Sequence, residues 1–458
     1  MAIDQHAAPG SEPHASKAVD RGSAAHRRKA WIVLALLVGL MLVNFADKVV
    51  VGLAGVGMKQ ELGLDDRDFG FIQSSFFWLF SLGSVLGGWL GGKVRARWLL
   101  AGVAALWVLS LAPMAFQVGF TTIVACRVLL GFAEGPTTAL AMQVAHSWFP
   151  AHQRAVPSSI VVAGAGLGPL IAAPVLTWVI SEHSWHAAFG VLAVFGAVVV
   201  VLWLFGGDAG PESAAGEEGP DGGPAAVVLP PRVPLGSLFR TGTLIGAMLL
   251  FFVAYANTAI KVSWLPLYLE EGLGYDATTA GNLVALPYLG SATAVISVGF
   301  WSRSLTRRGV SNRITRGVLP AVMVLGSGTC VIAFSALDRG PLQLVLLVLS
   351  ACLSAAGFGA GFAGLSDVVP ARQRGAVFGV VTGFYSAAGI VAPMVMGNMV
   401  AAGQTRAAGY GDGFLLLGAF MAVGAVVALL LIHPDRDARK LAELGRGAKI
   451  GHPRRPVG

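Results

Sequence analysis

Charge is what this sequence has least of. Of its 458 residues only 12% are Asp, Glu, Lys or Arg, about half the share of an ordinary soluble domain, while 55% are hydrophobic. That balance excludes a water-soluble globule and leaves one polytopic membrane domain to absorb the length. Cysteine is nearly missing: Cys126, Cys330 and Cys352 stand at unrelated spacings inside apolar runs, which excludes a disulfide framework and a zinc site. No metal-ligand cluster, phosphate-cradling loop or nucleophile triad is found, so neither enzyme activity nor a cofactor is expected. The net charge of +8 does not point to nucleic acid, because surplus Lys and Arg in a membrane chain sit in cytoplasmic loops. Nor is a cleavable signal visible. Arg27-Arg28-Lys29 precede an apolar run too long for a signal peptide, and no Ala-x-Ala-like site follows.

What the chain does have is apolar runs of membrane length. They predict about twelve helices near 30–56, 69–91, 98–117, 120–145, 155–180, 187–205, 239–269, 278–301, 316–336, 342–365, 375–401 and 412–432. The sixty-one glycines suit helices that pack closely in lipid. The expected organisation is a disordered tail over 1–29, a six-helix bundle over 30–205, a Gly- and Pro-rich linker over 206–238, a second bundle over 239–432 and a basic, solvated tail over 433–458. One set of connections is basic, with Lys93, Arg95 and Arg97, then Arg303, Arg307, Arg308, Arg313 and Arg316, then Arg372 and Arg374. The alternate set is acidic, with Glu61, Asp65, Asp66 and Asp68, then Glu182, then Glu270, Glu271 and Asp276. The positive-inside rule then puts the basic loops, the linker and both termini in the cytoplasm.

An internal repeat divides the chain. Pro150-Ala-His-Gln-Arg154 after the fourth helix is answered by Pro370-Ala-Arg-Gln-Arg374 after the tenth. Each leads into a Gly-rich helix that reaches Ala-Pro, at Pro174 and at Pro393. Parallel six-helix halves of this kind are what transporters rock about a central site.

Ionisable residues inside apolar runs are the functional signal, since each costs roughly 2.5–3.5 kcal/mol on insertion scales. Asn44, Asp47 and Lys48 lie in the first run, and Arg127 and Glu134 in the fourth. They form either a static ion-pair cluster or a site that handles a charged solute and a coupling ion. Helix neighbours point ~100° apart, so Asp47 and Lys48 must each find a partner elsewhere. Arg127 and Glu134 are two turns apart and share a face. Two acids and two bases nearly balance in an empty cavity. Protonating one acid leaves a positive surplus that an incoming anion neutralises, and lysine's flexible reach suits that task better than a rigid clamp. In the second half Asn257 and Lys261 share a face of the seventh helix, and Tyr255, Tyr288 and Tyr385 are wall candidates.

At this point the chain resembles the major facilitator superfamily, and within it the anion:cation symporter branch of organic-anion and sugar-acid transporters. The motifs that carry the resemblance are Phe45-Ala-Asp47-Lys48, Arg127-Val-Leu-Leu-Gly131-Phe-Ala-Glu134-Gly-Pro136, Trp148-Phe-Pro150 with Arg154, and Trp264-Leu-Pro-Leu-Tyr-Leu269. The resemblance implies an all-α fold of two six-helix halves and proton-coupled transport by alternating access. It implies Asp47 and Glu134 as proton-coupling carboxylates, Lys48 as the receptor of the substrate carboxylate and Arg127 as a switchable partner of one acid. It departs in two places. The loop between helices two and three has Gly92 where the superfamily has an aspartate, and the matching second-half position holds Ser302. Where sugar-acid members place a tyrosine, a glutamine and an asparagine, this chain has Phe80, small residues around Gly164, and Tyr385.

The expected function is therefore a monomeric, inner-membrane proton symporter importing a small organic anion, and lost wall hydroxyl partners favour a monocarboxylate of modest polarity. The substrate-binding set is Lys48, Arg127, Asn44, Phe80, Asn257, Lys261, Tyr288 and Tyr385. A sugar-acid symporter, an exporter of hydrophobic compounds and a non-transporting receptor are the alternatives.

Overall fold

The computed structural model describes residues 24–91, 93–149, 154–208, 210, 233–311, 313–369 and 373–441. Gly92, the repeated loops at 150–153 and 370–372, the tail over 1–23, most of the linker and residues 442–458 lie outside them. Among the described residues there is no strand, and twelve helices are long and apolar enough to cross a membrane. In chain order they are α1 (Ala24–Leu53), α2 (Asp66–Gly91), α3 (Ala96–Ala115), α4 (Phe120–Trp148), α5 (Val156–Glu182) and α6 (Trp185–Gly206), then α7 (Gly242–Ser263), α8 (Ala277–Ser302), α9 (Arg313–Ser335), α10 (Pro341–Phe362), α11 (Val377–Ala402) and α12 (Arg406–Leu431).

Local chemistry sets several ends. A short helix, Gly55–Leu62, follows α1 and stops at Gly63, whose φ of 63° is left-handed. Asp65 then opens α2 with a capping box: its carboxylate accepts from the Asp68 N–H at 2.8 Å, and the Asp68 carboxylate accepts from the Asp65 N–H at 3.3 Å. Ser184, Thr241 and Thr405 cap α6, α7 and α12 more simply, each side chain accepting from the backbone N–H three residues on.

The expected boundaries shift in three places. Residues 24–29 are helical rather than part of a tail, and Lys29 pairs with Asp208 at 2.7 Å beside α6. The seventh helix ends at Ser263, not 269, because Pro266 has no N–H to continue it; a π turn over Tyr268–Gly272 follows. Residues 434–441 form a docked helix rather than a solvated tail. Its buried Asp437 accepts from the Thr243 N–H at 2.8 Å and the Thr243 hydroxyl at 2.7 Å.

The two groups of six meet along α2 against α11, α5 against α8 and α1 against α7. Toward the acidic-loop end this seam is closed by backbone approach. A Cβ on Gly70 of α2 would stand 2.8 Å from the Pro393 carbonyl, and one on Gly397 of α11 2.5 Å from the Asp66 carbonyl. An ionic knot lies over it. Lys59 pairs with Asp66 and, at 3.0 Å, with Glu271, which also takes Arg406 at 2.6 Å and the Tyr410 hydroxyl at 3.4 Å. Toward the basic-loop end, Ser81 of α2 still hydrogen-bonds Ser386 of α11 at 2.6 Å. Further along, a Cβ on Gly88, Gly299 or Gly379 would meet nothing beyond its own helix within 4 Å among the described residues. The seam is tight at one end and loose at the other.

Candidate functional site

Between the halves lies a cavity of about 240 Å³. Its position follows from one helix crossing. A Cβ on Gly131 of α4 would stand only 1.7 Å from the Phe76 carbonyl of α2, so only glycine lets the two backbones come this close. That approach sets Arg127, one turn before Gly131, against Gln73 and Phe76, and Glu134, one turn after it, on the cavity wall.

Lys48 reaches across from α1 to the Glu134 carboxylate. Its ammonium also donates to the Asn44 carbonyl at 2.8 Å and the Asn44 side-chain oxygen at 3.1 Å, and lies 4.4 Å from the Phe45 ring centroid. Arg127 takes a different course. Its guanidinium sits 4.7 Å over the Phe76 ring and donates once, to the Gln73 side-chain oxygen at 3.3 Å. Among the described residues it forms no ion pair, and its Nε and Nη1 are buried with no acceptor. Gln73 passes the connection on, donating to the Ser263 carbonyl of α7 at 3.3 Å. Arg127, Gln73 and Ser263 thus form a polar thread from one half to the other.

The resemblance implies Lys48 for the substrate and Arg127 for an acid; in this conformation it is Lys48 that stands against an acid. Lys48 is engaged by Glu134, and Arg127 lines the cavity with two buried donors that, among the described residues, have no acceptor. Seven helical residues separate Arg127 from Glu134 by about 10 Å of axial rise, too far for one to clasp the other directly.

Asp47 does not touch the cavity. It is 0% exposed, and among the described residues neither carboxylate oxygen has a hydrogen-bond donor. It lies within electrostatic reach of Glu134, then Lys48, then Arg127, and Glu134 keeps one buried oxygen unpartnered as well. Two carboxyl groups with missing donors therefore stand side by side behind a lysine.

Of the other expected residues, Asn44, Phe80, Tyr288 and Tyr385 line the cavity, but Asn257 and Lys261 do not. The reason is the turn of α7. Tyr255, Thr258, Ala259 and Val262 take the cavity face, which rotates Asn257 and Lys261 into their own half. There Asn257 donates to the Ser327 hydroxyl at 3.4 Å, and the Lys261 ammonium lies 4.8 Å over the Tyr288 ring.

Gln73, Thr138, Thr258 and Ser263 also line the cavity and are absent from the expected set. Gln73 carried a readable signal: it is a lone amide within an apolar run, as Asn44 is. The hydroxyl residues carried none, because serine and threonine inside membrane helices usually satisfy their own helix. Ser263 and Thr258 do so here, at 2.7 and 3.4 Å.

The chain resembles known proteins in sequence and in shape. It is 26% identical over 424 residues to the probable galactarate/D-glucarate transporter GudP of Bacillus subtilis (strain 168), covering 88% of this chain and 91% of the relative. It is 25% identical to a D-galactonate transporter of Escherichia coli O6:H1, over 88% and 96% of the two chains. A probable sulfoacetate transporter, SauU of Cupriavidus necator, is 23% identical over 87% and 93%. Among solved structures, a bacterial homolog of the human lysosomal transporter Spinster, in an inward-facing and unoccupied conformation, superposes with a TM-score of 0.72 at 18% identity, covering 92% of this chain and 99% of that one. A D-xylose-proton symporter does so with a TM-score of 0.69 at 15% identity, over 89% and 98%. These neighbours share the fold. Because the profile of the Major Facilitator Superfamily matches residues 36–335 and 309–456, the chain belongs to that superfamily of membrane transporters.

Proposed function

We propose that this protein is a proton-coupled symporter that takes up a small organic anion across a bacterial inner membrane by alternating access. The observation that carries the reading is the Lys48–Glu134 pair beside the donor-less Asp47, with Arg127, two of whose buried donors lack an acceptor, lining the same cavity. Arg127 receives the substrate carboxylate, for which its planar fork is suited. The carbon body rests on Phe45, Phe76, Phe77, Phe80 and Tyr255, which line the same space. A proton held between Asp47 and Glu134 supplies the donor that both lack. When the anion draws Lys48 from Glu134, the proton and the anion each compensate a charge the other would leave bare.

The basic-loop end is assigned to the cytoplasm, with both termini there. The tight seam over Lys59 and Glu271 then lies on the outer side, and this conformation faces inward. Gln73, Thr138, Thr258 and Ser263 support a second reading, a sugar acid, since they offer hydroxyl partners that the wall was not expected to hold. The relatives named for galactarate, galactonate and hexuronate lend weight to it.

The test is uptake by proteoliposomes of a panel of carboxylic acids under an imposed pH gradient, for wild type and Asp47→Asn. The wild type accumulates at least one acid against its gradient. Asp47→Asn keeps counterflow exchange and loses that accumulation. Gradient-driven uptake that is unchanged in the variant overturns proton coupling through Asp47. A preference for hydroxyl-poor over polyhydroxy acids, or the reverse, decides between the two substrate readings.

A further inference from the structure

Every charged side chain on the wall of the central cavity belongs to the first half: Lys48, Arg127 and Glu134. The second half contributes Tyr, Thr, Ala, Val and Ser side chains there and no charge. A ligand can shift a two-state equilibrium only through differential contacts with both arrangements. An anion held by one half alone has little with which to draw the other.

The missing charge stands just behind the wall. Lys261 lies within the membrane span of α7, and among the described residues it has neither an ion pair nor a hydrogen bond. Its ammonium rests 4.8 Å over the Tyr288 ring centroid. Lys261 is half-buried, and a ring face compensates a desolvated cation by only about 2 kcal/mol. Beside it is a void of about 20 Å³, room for roughly one water, lined in part by Asn257, Lys261 and Ser350. Tyr288 is the partition. It lines the central cavity and carries Lys261 on its ring, and among the described residues its buried hydroxyl has no hydrogen-bond partner to hold the ring in place.

We propose that Lys261 receives a second acidic group on the transported anion, reached when the Tyr288 ring turns aside. The substrate class is then a dianion, one carboxylate on Arg127 in the first half and the second acid on Lys261 in the other, with Asn257 beside it. Such a ligand bridges the halves and gives each a reason to close on it. This replaces the monocarboxylate expected from the sequence, and it rests on the reading of the cavity as an organic-anion site.

The experiment compares matched acids that differ only in the second acidic group: succinate with butyrate, adipate with hexanoate, galactarate with galactonate. Uptake and competition are measured in proteoliposomes for wild type, Lys261→Met and Lys261→Arg. The readout is the diacid-to-monoacid ratio on one preparation, so partial loss of folded protein cancels. Wild type prefers the diacid in at least one pair, Lys261→Met lowers that ratio at least ten-fold, and Lys261→Arg retains most of it. No diacid preference in any pair, or a preference that Lys261→Met leaves intact, overturns the proposal while the organic-anion reading stands. Failure of the wild type to take up any acid of the panel removes that reading, and this one with it.

Discussion

Lys59 and Glu271 are 212 residues apart in the chain and 3.0 Å apart in space. Lys59 follows α1, and Glu271 lies in the π turn after α7, so this buried pair joins the two halves at the acidic-loop end. Asp66 shares the lysine; Arg406 and Tyr410 share the glutamate. Removing one partner of a buried pair leaves the others uncompensated, which costs about 3–5 kcal/mol. Lys59→Met is therefore expected to shift the protein toward opening at this end. Spin-label distances between positions 67 and 278, exposed and on the two sides of the seam, should lengthen and broaden. An unchanged distance distribution would show that the glycine contacts alone hold the seam.

Glu270, next to this pair, gives the same end a pH dependence. Burial pushes its carboxyl up to about 7, and the neighbouring Glu271 and Asp276 carboxylates push in the same direction. The closed seam therefore binds a proton more tightly than a solvated glutamate does. Its stabilising effect is fully present below about 4.5, the ordinary value, and is lost as pH rises through about 7. Opening at this end should become more frequent from pH 6 to pH 8, read by the same spin-label pair. In Glu270→Gln that dependence should flatten.

Arg127 is expected to be intolerant even of lysine. A point charge replaces a planar fork that stacks on Phe76 and reaches Gln73. Arg127→Lys should weaken anion binding roughly 10- to 100-fold, about 1.4–2.7 kcal/mol. Glu134→Gln acts oppositely on Lys48: with its partner neutral the ammonium is freed for the anion, so binding should persist while coupling to the pH gradient is lost. Isothermal titration alongside gradient-driven uptake separates the two effects.

Glycines predict stability by what surrounds them. Gly131→Ala would drive a methyl into the Phe76 carbonyl, whereas a methyl on Gly299 meets nothing within 4 Å. Overpacking of this kind typically costs about 1–3 kcal/mol. Melting in detergent should show a clear drop for Gly131→Ala and almost none for Gly299→Ala. Equal melting temperatures would mean that the α2–α4 crossing has slack to yield.

Much of this was legible in the residues themselves. Membrane-length apolar runs settle the twelve helices, because a backbone in lipid must satisfy its hydrogen bonds within each helix. Charges within those runs single out Asp47, Lys48, Arg127 and Glu134, because an ionised group there persists only with a partner or a task. Which charge meets which was not legible. Lys48 rather than Arg127 takes Glu134, and Asn257 and Lys261 turn away from the cavity, since partner choice depends on the rotation and depth of each helix against its neighbours. The Lys59–Glu271 knot was equally hidden: its members look like ordinary loop charges until the halves come together. The sequence by itself determined the number of spans and the chemistry embedded in them, both consequences of local composition in an apolar solvent. Only the tertiary structure decided the pairing of those charges and which end of the seam is tight, because both depend on contacts between helices far apart in the chain.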